Sequence, residues 1–345
     1  MYNESRRQAA NHPLYFLILD PPATASSSSG KLLLYNIGED SHAFTKSVSV
    51  PSCYEEISTS SSGLVCLHGV RNRRVAICNP VSEEIIPLPD FPEPRRPFDH
   101  AGIDSFTTNL VGFGFHAQTN KYKVVQLVHN PSKGAICNCY VLTVERRAES
   151  SWGAVDASLL DCVPSRLEID GAALCANGAL YWESYFPKGG DFAQILEFDL
   201  GNDSLKIILS PRVVDSSEEP YGYFKHLAEL QGNLCFAEMI SHSGSLQVDI
   251  SMLNRCDDNV QCWSHLYTLD LELYVGGSPL RSYEPFFPLC VRSDWILLMD
   301  DEALYSYDFK EKSLVAYKDN GDYTVFRNLL EGRAIVHAET LVVLN

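Results

Sequence analysis

The sequence predicts an all-β fold, a single closed β-propeller of six blades. Three observations predict it. A short unit recurs, in which an apolar run leads to Asn79, Asp199 or Asp308, a polar turn follows, and Ile85, Leu205 or Leu314 opens a second apolar run. The anchors Trp152, Leu205, Trp263 and Leu314 stand 53, 58 and 51 residues apart. Self-similarity at a period of about 50, built from strands, is the spacing of propeller blades. The runs also alternate with the period of a strand: Tyr305, Tyr307 and Phe309 against Ser306, Asp308 and Lys310, and Leu196, Phe198 and Leu200 against Glu197 and Asp199. No long stretch carries a helical period.

Taken in order, residues 1–13 form a polar tail and residues 14–345 the propeller domain. Residues 14–37 hold strand-forming runs around a Ser-rich insertion at 23–30, too little for a blade. Blade one spans about 55–89, blade two 110–155, blade three 172–209, blade four 227–267 and blade five 286–317. The pairs Ser62-Gly63, Asn177-Gly178 and Gly232-Asn233 mark tight turns between runs. What remains, 14–37 and 334–344, predicts a sixth blade shared by the two ends, which removes the exposed edges of an open array. Strands of a blade alternate in direction, so loops between second and third strands share a face with the connections between blades. Segments 68–74, 91–109, 184–191, 211–225, 238–247 and 270–285 are long and fall on that face, while the opposite turns are mostly short. Loops set on a rigid scaffold are where recognition concentrates.

Composition narrows the function classes. With 345 residues and 45% apolar content, the chain buries a large core. No run of 18 apolar residues suggests a membrane helix, and residues 14–19 are too short for a signal-peptide core before Asp20 and two prolines. The net charge of −17 argues against nucleic acid as the main partner, because counterion release needs a concentrated basic surface. Eleven cysteines are an odd number without a C-x-x-C pair, and Cys66, Cys78, Cys175, Cys235 and Cys290 lie inside apolar runs. They read as buried thiols of a reducing compartment, hence a cytoplasmic or nuclear protein.

The ordered series of motifs is specific. Ser61-Ser62-Gly63-Leu64-Val65-Cys66-Leu67 precedes Cys78-Asn79-Pro80-Val81-Ser82-Glu83-Glu84 and Pro87-Leu88-Pro89. Gly112-Phe113-Gly114-Phe115, Tyr122-Lys123-Val124-Val125, Asn177-Gly178-Ala179-Leu180-Tyr181-Trp182 and Ile195-Leu196-Glu197-Phe198-Asp199-Leu200 follow. This series resembles the F-box-associated, kelch-related propeller domain of plant F-box proteins, from about residue 14 to residue 344. The resemblance implies capture of target proteins for an SCF-type ubiquitin ligase. The family's helical F-box, which docks the ligase adaptor, has no counterpart in residues 1–13, so direct adaptor binding by this chain is not expected.

Enzyme chemistry finds little support. The adjacent carboxylates Glu55-Glu56, Asp257-Asp258 and Asp300-Asp301-Glu302 read as solvated turn charges, and the ten histidines show no H-x-x-x-H or H-E-x-x-H spacing. No nucleophile elbow, P-loop or dinucleotide glycine motif is present. No metal and no cofactor are expected. A kelch-type oxidase or hydrolase with side chains converging at the central channel is the alternative reading, and a lectin platform a weaker one. Trp152, Trp182, Trp263 and Trp295 fall at repeat positions and are expected to pack between sheets. One constellation stands out: Arg71, Arg73, Arg74, Arg95 and Arg96 fall in two consecutive long loops of an acidic chain. Guanidinium clusters bind carboxylate or phosphate bidentately, which points to an acidic or phosphorylated target segment. Tyr185, Phe186, Tyr221, Tyr223, Phe224 and Tyr283 are loop aromatics of the types that dominate interfaces.

Overall fold

The computed structural model describes residues 14–20, 29–37, 42–69, 72–92, 109–130, 135–144, 150–158, 173–183, 194–211, 224–242, 245–255, 261–271, 274–275, 278–279, 286–292, 294–300, 303–316 and 334–338. They form six four-stranded antiparallel sheets and a small two-stranded hairpin, with no α-helix among them. The sheets are the blades of a propeller. Blade one is Glu56–Ser61, Leu64–His68, Val75–Asn79 and Glu84–Pro87, and blade two is Asn109–His116, Lys121–Asn130, Ala135–Val144 and Gly153–Val155. Blade three is Leu174–Ala176, Ala179–Glu183, Gln194–Asp199 and Ser204–Leu209. Blade four is Phe224–Leu230, Asn233–His242, Ser245–Arg255 and Gln261–Leu271, and blade five is Phe287–Val291, Trp295–Met299, Leu304–Asp308 and Ser313–Ala316.

The sixth sheet joins the two ends of the chain. Its order is Ala334–Ala338, Leu14–Asp20, Ser29–Ile37, His42–Pro51, with Leu14 opposite Ala338 and Ile18 opposite Ala334. The expected end-sharing blade is therefore present, and it also takes the strand His42–Pro51, which the sequence reading left unassigned. That strand is the polar outer edge: Val48 and Val50 are buried while Ser47 and Ser49 are exposed.

Six apolar clusters hold the ring, one in each seam between consecutive blades. Leu17, Leu19, Val65 and Leu67 lie between the closing blade and blade one, and Leu64, Cys66, Phe113 and Val124 between blades one and two. Val125, Leu180 and Trp182 fill the next seam, Tyr181, Leu227 and Phe236 the one after. Val248, Leu269, Ile296 and Tyr305 join blades four and five, and Ile18, Tyr35, Leu297 and Leu304 return to the closing blade. The middle strands of the blades thus bury one alternation on each side, while the outer strands stay more exposed.

The recurring sequence unit has a physical cause. Asn79 Oδ1 accepts from the N–H groups of Val81 (2.9 Å) and Ser82 (3.3 Å), Asp199 Oδ1 from Gly201 (2.8 Å) and Asn202 (3.0 Å), and Asp308 Oδ1 from Lys310 (2.8 Å) and Glu311 (2.7 Å). Each turn closes four residues later on a left-handed residue, Glu83, Asp203 or Lys312. Only a short side chain with an acceptor satisfies these turn donors, which is why Asn or Asp recurs. The turns between first and second strands place both central residues at positive φ: Ser62 and Gly63, Asn177 and Gly178, Gln231 and Gly232. This is the geometry that suits hairpins, and the third turn sits one residue earlier than its sequence signal.

All four tryptophans pack between blades. Trp182 is fully buried, and Trp295 joins the seam of blade five with the closing blade. Trp152 and Trp263 each donate Nε1–H to the outer strand region of the preceding blade, to Pro89 O (3.0 Å) and Leu209 O (2.8 Å). The Gly-Phe-Gly motif is an inner-strand device. A Cβ on Gly112 would lie 2.8 Å from Trp182 Cζ2, and one on Gly114 2.7 Å from Cys175 Sγ and Leu200 Cδ1. Glycine on one face lets blade three approach, while Phe113 on the other face packs into blade one. Cys66, Cys78 and Cys235 are buried thiols outside any disulfide, and burial raises them to about 12, so they act as small apolar groups.

Candidate functional site: the long-loop face

The first strand of each blade is the innermost, and the first strands of successive blades pack on one another around the axis. Second-to-third-strand loops and blade-to-blade connections therefore share one face, as the sequence suggested. The long loop expected at 238–247, however, is mostly strand, because Asn233–His242 and Ser245–Arg255 stay paired up to His242 opposite Ser245. Arg73 and Arg74 lie on it. Arg71, Arg95, Arg96, Tyr185, Phe186, Tyr221, Tyr223 and Tyr283 lie outside the described residues. Phe224 begins the inner strand of blade four.

The blade-one loop is built to fix its arginines. Asn72 donates Nδ2–H to Cys53 O (2.6 Å) and accepts at Oδ1 from the Arg74 N–H (2.7 Å). Gly69 N–H donates to Arg74 O (2.9 Å), and Arg73 N–H to Gly69 O (3.1 Å). Gly69 has no room for a Cβ, which would collide with the Asn72 side chain and Cys53 O. Arg73 itself stands in the left-handed region at φ 56°, a conformation that costs a non-glycine residue about 1 kcal/mol. Its guanidinium carbon lies 5.6 Å from the centre of the Phe91 ring. Phe91 in turn meets Tyr140 (4.9 Å) and Trp152 (5.5 Å) edge to face. The loop is thus locked by one asparagine and one aromatic group, and Arg74 is exposed beside it.

Polar groups lie beneath this rim in the seam of blades one and two. His68 Nε2 stands 3.5 Å from Glu56 Oε2, and burial lowers His68 to about 4, so its ring is neutral at neutral pH. Gln126, whose neighbours across the sheet are Val111 and Tyr140, is fully buried, and among the described residues neither its oxygen nor its nitrogen has a hydrogen-bond partner.

A second cluster forms where blades three, four and five meet on the same face. Glu183 Oε2 accepts from the Leu227 N–H (3.2 Å) and lies 3.5 Å from His226 Nδ1. The His226 ring meets Phe287 edge to face at 4.8 Å. Burial raises the Glu183 carboxyl to about 7, partly offset by the Leu227 hydrogen bond. Burial also lowers His226, but 43% of its side chain is exposed against 23% for Glu183, so the carboxyl is the more shielded of the two. Among the described residues no group of three or more His, Cys, Asp and Glu side chains is placed to hold a metal ion.

Sequence reasoning singled out Arg73 and Arg74, which lie on this face, and did not single out Asn72, Phe91, Tyr140, Glu183 and His226. Asn72 carried a signal, an asparagine inside the run Arg71-Asn72-Arg73-Arg74, where Asn supports a tight loop. Glu183 and His226 carried none, because separate blades bring them together.

Comparison with known proteins fits this architecture. Two Arabidopsis thaliana proteins are similar at low identity. One named as an F-box protein is 23% identical over 284 residues, 74% of this chain and 56% of the relative. One named as an F-box/kelch-repeat protein is 24% identical over 222 residues, 62% of this chain and 48% of the relative. The chain spans about half the length of these curated relatives. Solved structures of similar shape include TolB from Acinetobacter baumannii, with a TM-score of 0.39 at 11% identity over 90% of this chain and 68% of that one. A likeness that weak bears on neither fold nor function. The sequence pattern of the F-box associated beta propeller domain matches residues 14–272, which covers blades one to four together with three strands of the closing blade. With its repeat turns, its Gly-Phe-Gly inner strand and its end-sharing blade, the chain belongs to the family of F-box associated β-propeller domains.

Proposed function

We propose that this propeller is a binding module without turnover, whose long-loop face captures a target protein as the substrate-recognition part of an SCF-type ubiquitin ligase in the cytoplasm or nucleus. Arg73 and Arg74, with Arg71, Arg95 and Arg96 contributed by the adjoining loop residues, take up an acidic or phosphorylated segment of the target. The observation that carries this reading is the blade-one loop. Asn72 and Phe91 hold Arg73 in a strained left-handed conformation at the rim of an acidic chain. Arg73 is half-buried over Phe91 with Arg74 exposed beside it, and a guanidinium held in place this way lowers the ordering cost of a charge-assisted pair.

Replacing Arg73, Arg74, Arg95 and Arg96 together by Ala tests it. Stability is expected to fall by no more than about 1 kcal/mol, the scale of the contact over Phe91. Affinity for acidic and phosphorylated peptides, read by fluorescence anisotropy at low and moderate salt, is expected to drop at least about tenfold, or about 1.4 kcal/mol. Equal peptide affinity in parent and variant, with no salt dependence in the parent, would return these arginines to an ordinary solvated surface.

A further inference from the structure

We propose that Glu183 and His226 form a one-proton joint that sets how tightly blades three and four close at the long-loop end of their seam. The geometry places the carboxyl of one blade against both a backbone donor and an imidazole of the next. Glu183 ends the second strand of blade three and reaches the Leu227 N–H at 3.2 Å and His226 Nδ1 at 3.5 Å, both on the inner strand of blade four. His226 then leans on Phe287 of blade five at 4.8 Å, so one pair touches three successive blades. When the carboxyl is protonated, Oε2 accepts from the Leu227 N–H and its O–H faces the neutral imidazole Nδ1. When the proton leaves, a carboxylate only 23% exposed is left at a seam lined by Tyr181, Ile195 and Leu227, where among the described residues the Leu227 N–H is the one backbone donor to it.

Other ionisable groups facing the pair do not replace that proton. Strand alternation turns Lys225, Glu229, Glu238 and Asp249 of blade four toward blade three, on the side of Leu227, Phe236 and Leu253, and Glu229, itself raised by burial, accepts from the Gly232 N–H at the far end of the strand. Lys225 stands opposite Glu238 in register, and Asp249 accepts from Thr268 Oγ1 (2.6 Å) with His265 at 3.9 Å. On blade three, Glu197 is held by Lys206 (3.1 Å) and Gln261 (3.2 Å). The blade-five strand Phe287–Val291 carries no carboxyl, amine or imidazole.

The sign follows from where the proton resides. Burial raises the folded carboxyl to about 7 from its ordinary 4.5. Between these values the folded chain keeps a proton that the unfolded chain has lost, so the joint contributes fully at the acid end and weakens as pH rises through about 7. The test is amide hydrogen exchange of the segment containing Leu227 at pH 5 and pH 8, expressed as protection factors, in the wild type and in Glu183→Gln. Wild-type protection is expected to fall at least about fivefold on going to pH 8, with Glu183→Gln constant across the range. As a second readout that needs no variant to fold, carbon NMR of the labelled glutamate side chains should show one carboxyl titrating near 7 in the wild type. Constant wild-type protection, or glutamates that all titrate in the ordinary carboxylate range, would overturn the joint.

Discussion

Removal of residues 334–344 is expected to abolish the cooperative fold. The deletion strips the partner from Leu14–Ile18 and leaves an unpaired edge inside the ring. Leu17, Ile18 and Leu19, each at most 1% exposed, lie in that strand, and Ile18 belongs to the cluster that seals blade five to the closing blade. A propeller opened there loses one of its six seams and exposes the next blade's edge, the situation that invites aggregation. Gel filtration and a thermal melt decide the matter. Aggregated or molten material is the expected result, whereas a monodisperse truncation that melts cooperatively within a few degrees of the parent would show that the end-sharing blade does not close the ring.

A single small side chain added inside the ring is expected to be nearly as severe. Gly112→Val places its Cβ 2.8 Å from Trp182 Cζ2 and 2.9 Å from Ala173 Cβ and Leu180 Cδ1, all in a seam where Trp182 and Leu180 are fully buried. Trp182 Cζ2 is a ring atom and Ala173 Cβ is fixed to the backbone, so neither can swing aside and blades two and three must separate. Overpacking of this kind costs about 3 kcal/mol. The matched control is Gly153→Val on the outer strand, where the nearest atom to a new Cβ is Val141 O at 3.8 Å, and there the loss should stay within about 0.5 kcal/mol. Denaturant midpoints of the two variants separate the cases. Equal, small shifts would mean that the seam adjusts freely and that the Gly-Phe-Gly motif is not a packing device.

The blade pattern was legible because its signals are local. Asn79, Asp199 and Asp308 each satisfy turn donors within three residues, and that need is written in the sequence itself. The alternation of Tyr305, Tyr307 and Phe309 is equally local, and so is the Gly-Phe-Gly spacing. His42–Pro51 was missed for a physical reason. As an outer strand it buries only a few side chains, and the register shift opposite Leu34 and Tyr35 breaks its alternation near Thr45. The site divides in the same way. A charge cluster such as Arg71, Arg73 and Arg74 is visible in a string of letters. The lock that aims Arg73 depends on Asn72 reaching Cys53 O, 19 positions away, and on Phe91 arriving from the next connection. The Glu183 and His226 pair depends on blade order alone, since neither residue sits in a motif.

Quantitative affinity capture from a plant-cell extract, with the wild-type propeller and the quadruple arginine variant side by side, followed by titration of the purified partner by calorimetry, decides whether the arginine-bearing face recognises a protein. A saturable one-to-one complex with the wild type is expected, weakening on dephosphorylation or with added salt and at least about tenfold weaker with the variant. A partner that binds both proteins equally and is indifferent to phosphatase and salt would contradict it.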